Sequence, residues 1–593
     1  MKRRNKMIKK ITNFFDKNTR EDFFIRLFSA WSIMGIINYF KNPVHVEKIE
    51  SVISTDLFTS VLYFLIAYIL ITAASLALKK FDTDGWIFAV STLSYLTIVS
   101  TFSANQYYCL ALIFAAMLSV VYCVKRFTAK KNVIEPGKRF TAAMSVTVAV
   151  IATFIIGLIG VSRYLCFSTP NFDFGIFSQM FYYMKTQFVP LTTCERQKLL
   201  SHFAVHLSPV YYLLLPVYFI FPSPITLQVS QAVILGSALI PLFLIARHYK
   251  LSNKCTILLM VAASFYPAMA GGTMYDIHEN AFLLPLILWT LYFAEKNKNI
   301  PMYIFVALTF SVKEDAAIYI AFIALYFILS GRKKLHGTVM LLSSIGYFSF
   351  AVAFLKKFGE GAMTGRFDNF ITDESLGLVD VIITIFKNPA YFVSQCMSAE
   401  KLLFVLFMFL PLGFSPLLSK KWSQFILIGP LVLINLMSDY QYQHSIYFQY
   451  VYGTMAVLFY LAVINIAQAP QNIKKYISPM AAVFSVIMFA FSVSPKFNYV
   501  ERLEVNKQDY VRIREALDTI EDDASVLSTT FYIPYLSQRD EIYEIEYAME
   551  ETDYIVIDTR FDSAHEQRLK IDMSKYKLVV CEENLVEIYA KIK

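Results

Sequence analysis

Long apolar stretches constrain this chain more than any other feature of its sequence. Residues 52–78, VISTDLFTSVLYFLIAYILITAASLAL, are apolar except near their start, and a helix of that length crosses a hydrocarbon core of about 30 Å. Such stretches recur along the 593 residues, which are 56% hydrophobic and only 17% charged. Soluble domains average about 45–50% apolar and about 25% charged residues. The sequence therefore excludes a soluble enzyme, a secreted disulfide scaffold and a disordered chain, and it predicts a polytopic helical membrane protein.

The charged residues are divided unevenly between the body of the chain and its end. Residues 495–593 hold 13 Lys/Arg and 22 Asp/Glu, a net charge of −9, so the overall +9 leaves +18 for the rest. Lys and Arg gather in short segments between apolar stretches, which is the pattern of cytoplasmic loops and not a nucleic-acid footprint. We therefore expect a multi-pass protein of the plasma membrane, with a cytoplasmic N-terminus, an extracytoplasmic C-terminal domain and no nucleic-acid partner.

The pattern divides the chain into three parts. Residues 1–140 are predicted to form a basic cytoplasmic segment and about four additional transmembrane helices, and residues 141–494 a transmembrane core with external loops at 165–206 and 356–400. In total we expect an all-α membrane fold of about 13–15 transmembrane helices. Residues 495–593 alternate short strand-like runs with helical stretches, which predicts a small extracytoplasmic α/β domain.

Two features of this topology have alternative interpretations. Residues 207–221 are apolar but short, and counting them as a crossing would invert everything downstream, so we interpret them as re-entrant or interfacial. Cys166 and Cys194 share the first external loop. A disulfide between them is one alternative, and two small packing residues are the other.

Ionisable residues in apolar surroundings mark candidate functional positions, because each is costly at membrane depth unless it is paired or hydrated. Asp173 lies near the start of an amphipathic stretch, TPNFDFGIFSQMFYYM (169–184). The alternative is ordinary helix capping by Asn171 or Asp173. His202 and His206 are four residues apart, a spacing that places both on one helical face and suits a metal pair, although no acidic residue accompanies them in this stretch.

Three further clusters are predicted on the same external face. In the second of them three charged residues follow one another in an apolar stretch, and since consecutive helical residues lie about 100° apart, at least one must face a cavity or a ligand. Each cluster alone is explained by solvated polarity or internal pairing, but together they predict the wall of a cavity at the outer leaflet. The three clusters are Asp276, His278 and Glu279; Lys313, Glu314 and Asp315; and Asp439, Tyr440, Tyr442 and His444.

These motifs resemble a known family. FDFGIFSQ, HLSPVYYLLLPVYFIFPSP, YDIHENAFLLPLILW, VKEDAAIY and SDYQYQHSIYF are similar in set and order to the membrane family called domain of unknown function 2079. That family in turn resembles the C-type glycosyltransferase (GT-C) fold of protein mannosyltransferases and aminoarabinose lipid A transferases. In that fold the donor is a polyprenyl-phosphate sugar, and an acidic residue of the first large external loop acts on the acceptor. The first four spans look like an N-terminal addition.

The resemblance implies a role for each cluster. Asp173 matches the catalytic acidic position and would act as the base, and Lys313 matches a lysine that would contact the donor phosphate. No DxD or ExD pair stands at Asp173, and Lys-Glu-Asp replaces the common Lys-Gly-Pro, which leaves metal dependence open. Substrate or phosphate contacts are expected from Lys313, Glu314, Asp315, His206, Asp439 and His444, and ligands for a divalent ion (Mg, Mn or Zn), or for the sugar, from Asp276, Glu279, His278 and His202.

The predicted function is that of a membrane glycosyltransferase, which moves a sugar from a polyprenyl-phosphate donor to an extracytoplasmic acceptor such as a cell-envelope glycan, lipid or protein. The alternative is an ion-coupled transporter or flippase of a lipid-linked or small polar substrate, whose sites usually lie near the midplane between internal repeats. No repeat is visible in this sequence. A third class, a non-catalytic envelope scaffold, predicts that the clusters pair off and leave no cavity.

Overall fold

The computed structural model describes residues 17–78, 82–130, 135–273, 275–361, 364–547 and 550–592. Within these ranges nine helices are long and apolar enough to cross a membrane. A tenth crossing results if Pro389–Cys396 and Ala399–Leu412, which are bent by 69°, form one span. The predicted polytopic helical membrane fold is confirmed, and several of the expected crossings are short or broken helices.

The N-terminal part consists of four long helices and one single turn. They pack on one another, and the last two also pack against the long helix that precedes the C-terminal domain. The N-terminal part is therefore joined to the core through its last two helices. Their bounds are α1 (Lys17–Lys41), α2 (Glu50–Ile53), α3 (Leu57–Ala77), α4 (Thr83–Ser100) and α5 (Gln106–Ala129).

A network of ion pairs joins one end of these helices. The buried Arg126 donates to both carboxylate oxygens of Asp82, at 2.7 and 2.5 Å, and to Asp22 at 2.7 Å. Arg26 donates to both oxygens of Asp84 at 2.8 Å. Paired arginine and carboxylate groups satisfy one another's hydrogen bonds, which makes their burial between apolar helices tolerable.

The transmembrane core is built around one helix that is buried along almost its whole length, α21 (Tyr452–Gln468). It is hydrophobic on all sides, as a helix enclosed by other helices must be. The other helices of the core are α6 (Lys138–Leu165), α7 (Ile176–Gln187), α8 (Leu215–Ile220), α9 (Pro224–Ser237), α10 (Leu239–His248), α11 (Asn253–Ser264), α12 (Pro267–Thr273), α13 (Leu283–Glu295), α14 (Asn299–Phe310), α15 (Ala316–Leu329), α16 (Lys334–Phe358), α17 (Leu378–Lys387), α18 (Pro389–Cys396), α19 (Ala399–Phe409), α20 (Trp422–Phe425) and α22 (Gln471–Val505).

The segments predicted as external loops contain secondary structure. Loop 165–206 holds α7 and a two-stranded hairpin of β1 (Leu191–Thr192) and β2 (Leu200–Ser201), and loop 356–400 holds α17 and α18. The ambiguous segment 207–221 forms a 3₁₀ turn and the six-residue helix α8, each too short to cross a bilayer. Cys166 and Cys194 are buried free thiols, so the packing alternative is correct and the disulfide is absent.

The chain ends in a five-stranded mixed sheet, which confirms the predicted α/β domain. Its strand order is β4-β3-β5-β7-β6, with β3 parallel to β4 and β5, and β7 antiparallel to β5 and β6. The helix α22 continues through Pro495 to Val505, so this fold begins at Lys507 and not at 495. Its elements are α23 (Lys507–Leu517), β3 (Val526–Ser528), α24 (Ile533–Leu536), β4 (Ile542–Glu544), β5 (Tyr554–Asp558), α25 (Ala564–Leu569), β6 (Tyr576–Glu582) and β7 (Val586–Lys591).

Replacing Arg126 by Ala tests the ion-pair network of the N-terminal helices. We expect the free energy of unfolding to fall by about 3 kcal/mol or more, because buried carboxylates lose their main partner. Thermal unfolding in detergent, followed by tryptophan fluorescence, to which Trp31 and Trp86 of these helices contribute, measures the loss. Arg512→Ala, which breaks an exposed pair with Glu582, is the control and should cost less than about 1 kcal/mol. Equal losses in the two variants would contradict a structural role for the network.

Candidate functional site

A polar cavity of about 580 Å³ lies between loop 165–206 and the transmembrane core. It brings together side chains from all the clusters singled out in the sequence. Six of the predicted residues line it: Asp173, His202, His206, His278, Lys313 and Asp439. Further polar or aromatic residues of its wall are Glu195, Arg196, Arg366, Tyr440 and Tyr450.

Asp173 is positioned by hydrogen bonds that its neighbour Asn171 makes to the C-terminal domain. The Asn171 side-chain amide donates to Glu544 at 2.8 Å, and its backbone N–H donates to the Thr530 hydroxyl at 3.1 Å. Gly175 lies two residues after Asp173. A Cβ atom at this position would lie 2.6 Å from the Asn171 side-chain oxygen, so the turn requires glycine. The loop that carries Asp173 is therefore fixed by residues from the far end of the sequence.

The following helix α7 is attached to the same domain. The Gln179 amide nitrogen donates to the backbone carbonyls of Arg539 and Asp540, at 3.2 and 3.1 Å, and its oxygen accepts from the Thr193 N–H at 2.7 Å. One buried glutamine thus links the helix, the hairpin of the loop and the edge of the domain. Buried amides satisfied in this way hold their neighbours in one arrangement.

The environment of Asp173 favours its protonated form. Burial raises the pKa of Asp173 to about 7, and the negative charges of Glu279, Asp276 and Glu195 act in the same direction, whereas Lys313 opposes them. A carboxyl group that titrates near neutral pH can accept a proton from a substrate and later release it. Asp173 is therefore suited to act as a general base, the role predicted for it.

Lys313 brings a buried positive charge to the cavity. It lies in the turn between α14 and α15, is 3% exposed, and its Nζ is 3.2 Å from the Glu279 carboxylate. Glu279 also accepts a hydrogen bond from the Tyr211 hydroxyl at 2.8 Å and lies 3.1 Å from His278 Nδ1. These contacts hold the ammonium group of Lys313 at the cavity wall.

Two histidines of the cavity wall are paired with carboxylates. His206 Nδ1 is 3.0 Å from Glu314, and His202 Nδ1 is 2.9 Å from Glu195. The two histidines therefore share the cavity, but each has its own acidic partner, 7 residues away for His202 and 108 residues away for His206. This is a different arrangement from the predicted metal pair.

An apolar cavity of about 400 Å³ adjoins the polar one. It lies among α15, α16 and α17, and its wall is formed mainly by aliphatic and aromatic residues. His206, Lys313 and Arg366 line both cavities, so they stand where the apolar space meets the polar space. Glu314 and Asp315, which were predicted as substrate contacts, line the apolar cavity on the same side.

Asp276 is not part of the wall. It is 1% exposed, with one oxygen 3.0 Å from Arg163 and the other accepting from the Gln228 amide at 2.6 Å. Its φ of 141° is rare for an L-residue and costs about 1–3 kcal/mol, which the surrounding contacts must offset. Asp276 affects the site through its negative charge, which contributes to the raised pKa of Asp173.

The predicted metal ligands do not assemble into one ligand set. Asp276 is paired with Arg163, Glu279 with Lys313, and His202 with Glu195. Across the residues that the structure describes, no three His, Cys, Asp or Glu side chains are grouped as metal ligands. The donor set therefore fits an ammonium group better than a divalent ion.

Arg366 was not identified from the sequence, and His444 was predicted in the same cavity as the other clusters. The Arg366 guanidinium lies 4.8 and 5.0 Å from the ring centroids of Tyr440 and Tyr450. It belongs to loop 356–400, which was predicted to be external, and no periodicity or motif in that loop singles out the arginine. His444 lines a separate cavity on the other side of the segment that carries Asp439.

The chain belongs to the family described as predicted membrane protein (DUF2079), whose model matches residues 163–586. The resemblance inferred from the motifs is confirmed. The N-terminal helices α1 to α5 lie outside the matched residues. Among curated proteins no match is found.

The fold is similar to that of ArnT from Cupriavidus metallidurans, whose crystal structure was determined with bound undecaprenyl phosphate. The TM-score is 0.50 at 10% sequence identity, and the similarity covers 77% of this chain and 99% of ArnT. At this identity the comparison establishes the fold alone, and it confirms the predicted likeness to the GT-C fold.

Proposed function

We propose that this protein is a membrane glycosyltransferase that moves a sugar from a polyprenyl-phosphate donor to an extracytoplasmic acceptor. One observation carries the proposal: an apolar cavity and a polar cavity meet at Lys313 and Arg366, and the polar one contains a carboxyl group that titrates near neutral pH. A lipid-linked sugar has the same division into an apolar tail, a phosphate and a polar head.

The donor phosphate would lie at the junction of the cavities. Lys313 and Arg366 supply positive charge there, and His206 supplies a further polar contact. Cations placed where negative charge develops stabilise a departing phosphate, particularly in a site of low dielectric constant. The lipid tail would occupy the apolar cavity among α15, α16 and α17. Binding of undecaprenyl phosphate by ArnT, which has a similar fold, supports this assignment.

Asp173 would activate the acceptor in the polar cavity. Its carboxylate would accept the proton of an acceptor hydroxyl, whose oxygen then attacks the anomeric carbon of the sugar. The bond from that carbon to the phosphate oxygen breaks, and the electron pair leaves with the polyprenyl phosphate. A single displacement of this kind inverts the anomeric configuration. No step is assigned to a metal ion, because the ammonium group of Lys313 contacts the Glu279 carboxylate that was predicted as a metal ligand.

The two alternative functions, a non-catalytic scaffold and a transporter or flippase, predict observations that differ from those for an enzyme. A scaffold would leave no cavity between its paired clusters, whereas two cavities share a wall here. A flippase or transporter would move a substrate without changing it, and the experiments below separate it from an enzyme by the product.

The proposed orientation puts Asp173 and the C-terminal domain on the extracytoplasmic side. Cys581 is the one fully exposed thiol among the seven cysteines of the chain. We therefore expect a membrane-impermeant maleimide to label the protein in intact cells, and Cys581→Ser to abolish most of that labelling. Labelling that requires permeabilised cells would contradict the orientation.

Replacing Asp173 by Asn should abolish transfer, because the amide cannot accept the acceptor's proton. Mass spectrometry of envelope glycans and lipids from a deletion strain identifies the missing product. Wild type should restore it and Asp173→Asn should lower it by about 10²–10⁴-fold, the usual contribution of a general base. With the wild type, the transfer rate should fall below about pH 7 as the carboxylate is protonated.

The control is Asp522→Asn, an exposed acidic residue of the C-terminal domain, which should restore the product fully. Full restoration by Asp173→Asn would show that Asp173 is not the base. Movement of a lipid across proteoliposomes without any modified product would favour the flippase.

The phosphate site can be tested separately from transfer. Native mass spectrometry with undecaprenyl phosphate should show binding to the purified chain, about 10- to 100-fold weaker for Arg366→Gln and for Lys313→Gln, because each loses a charge-assisted contact of about 1.5–3 kcal/mol. The exposed Lys420→Gln is the control. Unchanged binding in both cavity variants would contradict a phosphate at the junction.

A further inference from the structure

A second polar cavity, of about 420 Å³, lies next to the Asp173 cavity and has no part in the proposed reaction. The segment 437–448 separates the two. Asp439 and Tyr440 line the Asp173 cavity, whereas Tyr442 and His444 line the second one. The rings of Tyr440 and Tyr442 are in contact, with centroids 5.0 Å apart. The two cavities are therefore neighbours that meet at this pair of tyrosines.

The second cavity combines flat aromatic surfaces with hydrogen-bonding groups. Tyr442 and Phe448 pack on each other with centroids 4.4 Å apart. The exposed Gln441 and Glu400 stand at its rim, so the cavity reaches the surface. Aromatic faces and a few amide, carboxylate or hydroxyl groups match the alternating apolar and polar surfaces of a sugar ring.

His444 is a largely buried polar residue of this cavity. Its side chain is 7% exposed, its Nε2 is 3.9 Å from the Glu400 carboxylate, and its Nδ1 makes no hydrogen bond within the described part of the chain. A buried imidazole with an unused hydrogen-bonding atom is costly unless a partner is supplied. A ligand hydroxyl at the cavity wall is a suitable partner after rotation of the ring.

The charge of the cavity restricts its ligand. Among the described residues, neither lysine nor arginine lines it, and Glu400 contributes a carboxylate. A phosphate or another anion would meet no cationic side chain at the described wall, and a purely apolar ligand would leave the amides and the imidazole without partners. A neutral or amine-bearing sugar satisfies both requirements.

We infer that the second cavity is a subsite for one sugar unit of a glycan acceptor, the neighbouring part of which enters the Asp173 cavity. This inference rests on the proposed transferase function and names its acceptor class. Gln106, at the start of α5, forms part of the wall. The N-terminal helices, which lie outside the residues matched by the family model, therefore contribute to acceptor recognition in this chain.

Saturation-transfer NMR on the full chain in lipid nanodiscs tests the subsite directly. The probes are chitobiose, maltose and glucosamine. We expect saturation transfer from at least one of them, reduced at least fivefold by His444→Phe, which keeps an aromatic ring without hydrogen-bonding nitrogens, and by Gln106→Leu. Tyr107→Ala, an exposed neighbour outside the cavity wall, is the control and should bind as wild type does. Thermal unfolding confirms that each variant is folded.

The outcomes distinguish the subsite from the proposed reaction. Binding should persist in Asp173→Asn, because that residue lies in the other cavity. Saturation transfer from none of the three probes, or an equal signal in wild type and folded His444→Phe, overturns the subsite whether or not the protein transfers sugars. Binding that depends on His444 in a protein without transferase product supports the subsite and overturns the proposed reaction instead.

Discussion

The buried contact between Lys313 and Glu279 is the interaction on which the site depends. Each residue makes the buried charge of the other tolerable, and the pair fixes the ammonium group of Lys313 where the polar and apolar cavities meet. Tyr211, from another segment of the chain, and the adjacent His278 both contact this carboxylate. Three parts of the sequence thus converge on one ion pair, which determines where a negatively charged group can be held.

Part of this arrangement could be predicted from the sequence because charge is costly in apolar surroundings. Asp173 and Lys313 stood out on that ground, and both line the polar cavity. Pairing could not be predicted in the same way. Asp276 turns away from the cavity toward Arg163, a residue inside a long apolar helix, and nothing in the spacing of either indicates the other. The prediction that Asp276 and Glu279 would bind the same ligand did not take the ion pair with Arg163 into account.

In the fold, too, some elements could be predicted from the sequence and others could not. Long apolar helices are specified by composition over many residues, so their existence was predicted reliably. Short elements have too few residues for composition to specify them. The strand β4 has three residues and β7 has six in a polar stretch, and neither was predicted. Arg366 was likewise not predicted as a site residue. It reaches the cavity because its guanidinium in loop 356–400 packs over Tyr440 and Tyr450.

The hydrogen bond from Asn171 to Glu544 joins residues 373 positions apart. A ribosome adds these residues in order, and in the proposed orientation both must cross the membrane before they can meet. The loop that carries Asp173 is then held in its final geometry only after nearly the entire polypeptide has been made and exported. Incomplete chains, which would already contain both cavities' helical walls, would lack the hydrogen bond that holds this loop.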